Sequence, residues 1–278
     1  MKIHVLRCGY IRIAKELLDG GGRFASDLGK AMLVPDSKRV ILPVSAYLIE
    51  DRDGLYLADT GWSREISPDG VYDPKAVART LPRHLAALYK PYVPNGMTVC
   101  EQLEARGIRP EDLNAVMITH FDADHVAGIR SVSGAQRIIY PEDEAYWSVR
   151  TRYRMRQPRE FWNIERAERV FYRGHLLGPM NRAFDVKEGD SYIKMVSLPG
   201  HTDGQAGVIV SNGARYVLIA ADAALSSNNW ETMKPAGLGA DTALQTKTLK
   251  WIAGAAADPA CIEVLCSHDP EQPEVVEL

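Results

Sequence analysis

The stretch Val116-Met-Ile-Thr-His-Phe-Asp-Ala-Asp-His-Val-Ala-Gly128 decides how the rest of the chain is interpreted. Its first four residues form a short apolar run rich in strand formers, which predicts a buried strand. Four candidate metal ligands follow within six positions, namely His120, Asp122, Asp124 and His125, and the last two open a predicted helix through Ile129. Side chains on a strand-to-helix turn project from a rigid scaffold into one concave space, where a metal enzyme needs its ligands.

The spacing of these four residues indicates two ligand sets. In extended backbone His120, Asp122 and Asp124 would share one face, whereas the adjacent Asp124 and His125 point apart unless the chain turns between them. Two diverging sets favour two metals over one. The alternative is a polar strand end whose acids and histidines lie in water or cap a helix. For four imidazole and carboxylate groups so close together, we favour metal binding.

The motif His-x-Asp-x-Asp-His followed by a glycine turn resembles the His-x-His-x-Asp-His signature of the metallo-beta-lactamase superfamily. Four further stretches of the chain match the family in the expected order, namely Asp59-Thr60-Gly61, Pro199-Gly-His201-Thr-Asp-Gly204, Ala221-Asp222-Ala223 and Ser267-His268-Asp269. The resemblance covers nearly the whole chain and implies one domain over 1–278, an α/β four-layer αββα sandwich.

The resemblance also implies a set of site residues. One metal would be held by His120, Asp122 and His201, a second by Asp124, His125 and His268, and Asp222 would bridge them. Asp59 would support the ligands from outside. The implied cofactors are two divalent ions, with zinc the first expectation and iron or manganese the alternatives.

Two departures from the family pattern affect this reading. Asp122 stands where the family usually has a histidine, and a carboxylate is a harder ligand that could bias the site toward iron or manganese. Leu225 stands where homoserine lactonases tend to have a tyrosine near the substrate carbonyl. Leucine cannot donate that hydrogen bond, so the sequence leaves the substrate-binding residues and homoserine-lactone specificity open.

Within the superfamily, Leu42-Pro-Val-Ser-Ala-Tyr-Leu-Ile49 and the Ser-His-Asp ending most resemble the lactonase branch, which includes the quorum-quenching N-acyl-homoserine lactonases and a pyridoxolactonase. This resemblance implies a hydrolase that opens a lactone with a metal-bridging hydroxide, Asp124 giving a proton to the leaving alkoxide and Asp222 bridging the ions. Such a site could also hydrolyse a thioester, a phosphodiester or a β-lactam. Two alternatives of other classes remain: a di-iron redox protein, because Asp122 replaces His, and a binding protein that has lost one metal.

The amino-acid composition argues against several classes of protein. The net charge of −3 over 278 residues argues against a general nucleic-acid binder. No apolar stretch is long enough to cross a membrane, and the N-terminus lacks the apolar segment of a signal peptide. The four cysteines are widely spread and predict reduced, buried thiols. We expect a cytoplasmic enzyme that acts on a small molecule.

Residues 150–182 stand out because they contain nine arginines interleaved with aromatic residues. Arginine with aromatics can contact nucleic acid, and a solvated helix with Glu–Arg pairs is the simplest alternative. We favour a third interpretation, an insertion that forms a lid or a homodimer contact beside the metal cleft. An arginine there could hold an anionic group of the substrate.

Overall fold

Two β-sheets form the centre of the protein in the computed structural model, which describes residues 1–20 and 24–278. The first sheet has seven strands in the order β13-β1-β2-β3-β4-β5-β6, and the second has six in the order β12-β11-β10-β9-β8-β7. The strands span Lys2–Ala14 (β1), Arg39–Asp51 (β2), Gly54–Ala58 (β3), Leu113–Met117 (β4), Ile138–Pro141 (β5), Ala167–Val170 (β6), Arg173–Gly174 (β7), Arg182–Lys187 (β8), Tyr192–Ser197 (β9), Ala206–Ser211 (β10), Tyr216–Ala221 (β11), Cys261–Cys266 (β12) and Val275–Glu277 (β13).

Helices flank the sheets. The α-helices span Phe24–Met32 (α1), Pro74–Thr80 (α2), Arg83–Tyr89 (α3), Val99–Glu104 (α4), Ala123–Val126 (α5), Glu142–Ser148 (α6), Thr151–Arg154 (α7), Arg159–Trp162 (α8), Ser227–Glu231 (α9) and Thr242–Ala256 (α10). Short 3-10 helices occur at Lys15–Leu17, Asp36–Lys38, Arg64–Ile66, Pro110–Asp112 and Ile129–Val132. Among the described residues, no helix is long and apolar enough to cross a membrane.

Three apolar clusters show that the sheets and helices form four layers. One cluster packs the first sheet against helices, as Leu48 of β2 with Leu85 of α3 illustrates. A second lies between the sheets and includes Met117 of β4 and Val208 of β10. A third packs the second sheet against α9 and α10, where Ile252 is fully buried. Three buried interfaces between four layers make an αββα sandwich, which confirms the predicted fold class.

Two predicted bounds differ from the structure. The strand predicted over 116–119 lies earlier, at Leu113–Met117 (β4), and the helix predicted through Ile129 ends at Val126 (α5), with a 3-10 helix following at Ile129–Val132. The first strand, β1, continues to Ala14. The β1–β2 register shifts between Arg7 and Tyr10, and Gly9 (φ 106°) lies at that irregularity. The strand β13, three residues at the sheet edge, has no counterpart among the predicted elements.

The arginine-rich segment divides into two structural parts. Residues 150–162 form α7 and α8, and their central side chains Arg156 and Gln157 are buried. Residues 167–174 instead extend the sandwich, because β6 pairs with β5 in the first sheet and β7 pairs with β8 in the second. The later part is thus integral to both sheets.

Candidate metal centre

Seven histidine and aspartate side chains converge where loops leave the ends of β4, β9, β11 and β12. They are the seven residues that the sequence analysis named as ligands, and all are at least 95% buried: His120, Asp122, Asp124, His125, His201, Asp222 and His268. The structure therefore brings together residues that are as far as 148 positions apart in the sequence (268 − 120).

Backbone geometry aims two of these turns into the cavity. Gly200 has φ 140°, a conformation that side chains rarely adopt, and a Cβ there would collide with the backbone of Gln245. This turn brings His201 inward. Ala221, directly before Asp222, has φ 50° and is a non-glycine residue in the left-handed region. Such conformations persist where the surrounding structure enforces them, often at functional sites.

Two groups of three side chains have the arrangement of a metal site. His120, His201 and Asp222 form one group, and their ligand atoms lie within 4.8 Å of one another. The second group consists of Asp124, His125 and His268, within the same limit. Asp222 lies between the groups, because its carboxylate is 3.4 Å from His201 Nε2, 3.3 Å from His125 Nε2 and 3.2 Å from His268 Nε2.

Hydrogen bonds on the outer side of the histidine rings fix how the second group presents its nitrogens. His125 Nδ1 lies 2.8 Å from Asp59 Oδ2, and His268 Nδ1 lies 2.8 Å from the carbonyl oxygen of Pro43. Both partners are acceptors, so each Nδ1 donates its proton outward and each Nε2 is the nitrogen that faces the neighbouring carboxylates, where an ion can replace a proton. Asp59 also accepts hydrogen bonds from the Thr119 backbone amide and hydroxyl, each at 2.8 Å. This outer arrangement is the one that orients metal-binding histidines.

Buried polar atoms without partners show where a cation fits. Among the described residues, His120 Nε2, His125 Nε2 and Asp222 Oδ1 are buried and have no hydrogen-bond partner. Leaving such atoms unpaired is costly. Imidazole nitrogens and carboxylate oxygens are the donors that zinc, manganese and iron accept. His125 Nε2 and Asp222 Oδ1, 3.3 Å apart, place such unpartnered donors at the second group, which therefore fits a divalent ion.

Asp122 has a different environment from the other six residues. Arg156 Nε lies 2.7 and 2.8 Å from its two carboxylate oxygens, and Arg156 Nη2 lies 2.6 Å from Oδ2. Arg156 Nη2 also contacts His201 Nε2. The two side chains that the resemblance placed with His120 around the first metal are therefore both bonded to a guanidinium.

The pKa values reflect this charge distribution. Burial alone would raise the pKa of Asp122, but Arg156, His120 and His201 hold it well below its usual range. Burial, together with Arg156, lowers the pKa of His201 to about 4. Its imidazole is therefore neutral near pH 7 and can accept the hydrogen bond from Arg156. Burial raises the pKa of Asp124.

The cavity at the centre is small and mostly apolar away from the ligands. Its volume is about 20 Å³, which is room for about one water. Ile11, Ile13, Leu17, Leu225 and Leu238 line it, and the described lining carries one hydroxyl group, on Tyr89. A groove of about 310 Å³ lies next to it and shares Leu225 and His268 as walls.

Sequence reasoning did not single out three residues that shape this site. Arg156 was counted in the arginine-rich segment, and the signal that could have found it was the unexpected carboxylate at Asp122, which needs a cation. Glu144 is fully buried and accepts hydrogen bonds from the Phe121 amide and the Thr202 hydroxyl. It thereby joins the two histidine turns. Tyr89, in the cavity wall, had no sequence signal.

A model of the Metallo-beta-lactamase superfamily matches residues 39–260, and the chain belongs to this superfamily. It is 27% identical over 279 aligned positions to the N-acyl homoserine lactonase AiiB of Agrobacterium fabrum, which covers 98% of this chain and 94% of the relative. A probable metallo-hydrolase of Mycobacterium tuberculosis is 32% identical over 181 residues, 63% of this chain; the match spans only 55% of that relative's length.

Solved structures share the fold. An N-acyl homoserine lactone hydrolase with the product N-hexanoyl-L-homoserine at its catalytic metal centre superposes with a TM-score of 0.73, at 19% identity, over 98% of this chain and 94% of that chain. A dizinc quorum-quenching lactonase gives a TM-score of 0.64 at 17% identity, and the superposition covers 98% of this chain and 88% of the lactonase chain. The family model match over residues 39–260 confirms the family assignment expected from the sequence.

Proposed function

We propose that the protein is a metal-dependent lactonase, which hydrolyses the ester bond of a lactone ring. The observation that carries this proposal is the buried cluster of histidine and aspartate side chains, which forms two adjacent ligand groups and contains unpartnered nitrogen and oxygen atoms. Full-length similarity to N-acyl homoserine lactonases supports an ester as the substrate. A divalent ion held there would lower the pKa of a water molecule and polarise a carbonyl group.

Residues of the cluster would hold the ion, position the histidine rings and transfer a proton. His125 and His268 would hold the ion, since each has its proton fixed on the outer nitrogen. Asp222 would hold the ion from the other side, and Asp59 would keep the His125 ring in place. Asp124 lines the cavity with Oδ2 3.4 Å from His268 Nε2. We assign to it the transfer of a proton to the alkoxide oxygen released when the ring opens.

The groove beside the cavity is where we place the substrate. At about 310 Å³ it has the size of a small-molecule site, and His268 and Leu225 connect it to the metal cluster. Leu225 offers no hydrogen bond to a carbonyl oxygen. The hydroxyl of Tyr89, on the cavity wall, is the residue we propose for that contact. Arg156 contacts Asp122 and His201 of the cavity wall, and we propose that residues 150–162 belong with the rest of the chain to one domain.

A panel of lactones tests the proposal, with hydrolysis measured as acid release at constant pH. Thioesters, phosphodiesters and β-lactams belong in the same panel, because the superfamily fold also suits them. We expect turnover of at least one lactone, and we expect Asp222→Ala to reduce it to the level of chelator-treated protein. Asp258→Ala is the matched control, since Asp258 is an exposed aspartate outside the site.

Two results would contradict the proposal. If Asp222→Ala kept full turnover of an active lactone, the metal cluster would not be the catalytic site. If the metal-loaded protein hydrolysed another ester class and no lactone, the lactonase assignment would be wrong while the hydrolase assignment stood. Leu225→Ala, which widens the wall between groove and cavity, should change the preferred ring size without removing metal.

A further inference from the structure

The guanidinium of Arg156 lies inside the first of the two predicted metal sites. Arg156 is only 2% exposed. It enters from the loop between α7 and α8 and reaches Asp122 and His201, two of the three ligands that the resemblance assigned to one ion. A side chain that fills a ligand cluster raises the question of whether an ion can bind beside it.

All five N–H groups of Arg156 have acceptors in the described structure. Nε donates to both oxygens of Asp122; Nη1 donates to the carbonyl oxygens of His201 and Leu238; Nη2 donates to Asp122 Oδ2 and His201 Nε2. A guanidinium has five donors in a fixed planar fork, so this is a complete binding site for it. Arg156 has no donor left for an anionic group of a substrate, which the sequence analysis had considered for this segment.

These hydrogen bonds use the electron pairs that a metal would need. A histidine nitrogen that accepts a hydrogen bond cannot bind an ion with the same lone pair, and His201 Nε2 is engaged by Arg156. Both oxygens of Asp122 are engaged as well. Among the described residues, His120 Nε2 and Asp222 Oδ1 have no partner, and His201 Nδ1, which is also unpartnered, lies on the ring whose Nε2 contacts Arg156. That leaves two free ligand side chains in the first group, too few for a closed structural or catalytic site.

The charges of the first group also disfavour the binding of an ion there. Asp122 carries the one negative charge that this first group has beyond Asp222, and Arg156 neutralises it. A divalent ion at His120 and His201 would sit directly beside a fixed positive charge, and Asp222, which also serves the second group, would be the one carboxylate left to offset the repulsion. Asp122, which replaces the family's histidine, suits the binding of Arg156, because a carboxylate can accept two hydrogen bonds from a guanidinium and an imidazole cannot.

In the second group, the ligand atoms of Asp124, His125 and His268 remain available to bind a metal ion. His125 and His268 have their protons held on Nδ1 by Asp59 and Pro43, and His125 Nε2 is buried without a partner. Asp124 and Asp222 supply carboxylate oxygens within 3.9 Å of His125 Nε2. Two imidazoles and two carboxylates around one point satisfy a single divalent ion.

We propose that this chain binds one divalent ion, at Asp124, His125 and His268 with Asp222, and that the Arg156 guanidinium takes the place of the second ion. The inference rests on the same site as the proposed function. Arg156 then acts as a positioning residue: it fixes Asp122 and His201, which line the cavity, and holds a permanent positive charge in contact with both.

The experiment counts metal in the full-length protein. Protein freed of metal with a chelator is dialysed against excess Zn²⁺, then against metal-free buffer, and zinc per chain is measured by mass spectrometry. We expect one zinc per chain. A parallel sample loaded with Mn²⁺ should give the electron paramagnetic resonance spectrum of an isolated ion, without the exchange coupling of a close pair.

A double variant tests whether Arg156 is the cause. Asp122→His with Arg156→Gln restores the family's ligand and removes both buried charges together, so neither charge is left unpaired. We expect two zinc ions per chain and a coupled manganese spectrum. Arg154→Ala is the matched control, an exposed arginine two positions away, and it should keep one ion. Circular dichroism establishes that each variant is folded.

Several outcomes separate this inference from the proposed function. Two zinc ions or a coupled manganese pair in the wild-type protein would overturn it, as would a folded double variant that still bound one ion. The wild-type measurement alone is decisive if the double variant does not fold. One ion per chain without hydrolysis of any ester would support the inference and contradict the proposed function, and no bound ion would overturn both.

Discussion

Asp59→Asn is the substitution whose effect the structure defines most closely. Asp59 is fully buried, and its Oδ2 lies 2.8 Å from His125 Nδ1. An asparagine of the same shape would place either an NH₂ group or a weaker, neutral acceptor at this point. If the NH₂ group faces the ring, His125 Nδ1 must accept, and the imidazole proton moves to Nε2, where it blocks metal binding. Loss of such an outer partner typically weakens metal affinity by about 10- to 100-fold, or about 1.4–2.8 kcal/mol.

The assay is a competition titration of Zn²⁺ between the protein and a chromophoric chelator. Asp51→Asn serves as the control, because the Asp51 side chain is also only 5% exposed but lies on the β2–β3 hairpin, away from the site. We expect Asp59→Asn to bind zinc more weakly and Asp51→Asn to match the wild type. A folded Asp59→Asn protein with wild-type zinc affinity would refute the assignment of the His125 proton.

Three further outcomes follow from individual contacts. Gly200→Ala should lower the free energy of unfolding by about 1–3 kcal/mol and weaken zinc binding, because the added Cβ would collide with the Gln245 backbone. Urea denaturation measures the first effect and zinc titration the second. A variant with wild-type stability and zinc affinity would contradict the steric argument. Tyr89→Phe should lower kcat/KM for an active lactone by about tenfold at unchanged metal content, and equal kinetics would remove Tyr89 from the site. Burial would raise the pKa of Asp51, but Lys187, 2.7 Å away, lowers it below 3.8 overall; Asp51 therefore stabilises the fold above pH 3.8. The deficit of about 1–3 kcal/mol in Asp51→Asn should shrink in denaturation curves as the pH falls below about 4, and a deficit that grew instead would contradict this sign.

Local patterns were sufficient to predict much of the fold. The apolar run before His120 contains the end of β4, as predicted. Two other local signals in the sequence also match the structure, because Asn212-Gly213 lies at the turn of the β10–β11 hairpin and Pro82 lies between α2 and α3. Each of these signals acts through a few neighbouring residues. The short strands β6, β7 and β13 lack such signals, because each has two to four residues and is held by its partner strand.

The ligand residues could be named from the sequence, but their partners could not. Residue type and spacing identify an imidazole or a carboxylate as a candidate, whereas the pairing of Asp122 with Arg156 joins positions 34 apart. Nothing in the spacing distinguishes Arg156 from the eight other arginines of segment 150–182. The choice depends on burial, which only the folded chain determines.

The left-handed backbone at Ala221 has a consequence for how the protein opens. A non-glycine residue in this conformation destabilises the folded state by about 1–2 kcal/mol. This strain lies at the end of β11, next to Asp222, whereas the neighbouring strands of the sheet are paired. Residues 221–223 should therefore exchange their amide hydrogens through local fluctuations well before the β10–β11 pair does. Metal occupancy would slow this exchange, so a mass-spectrometric exchange profile of these few amides would report occupancy without any substrate.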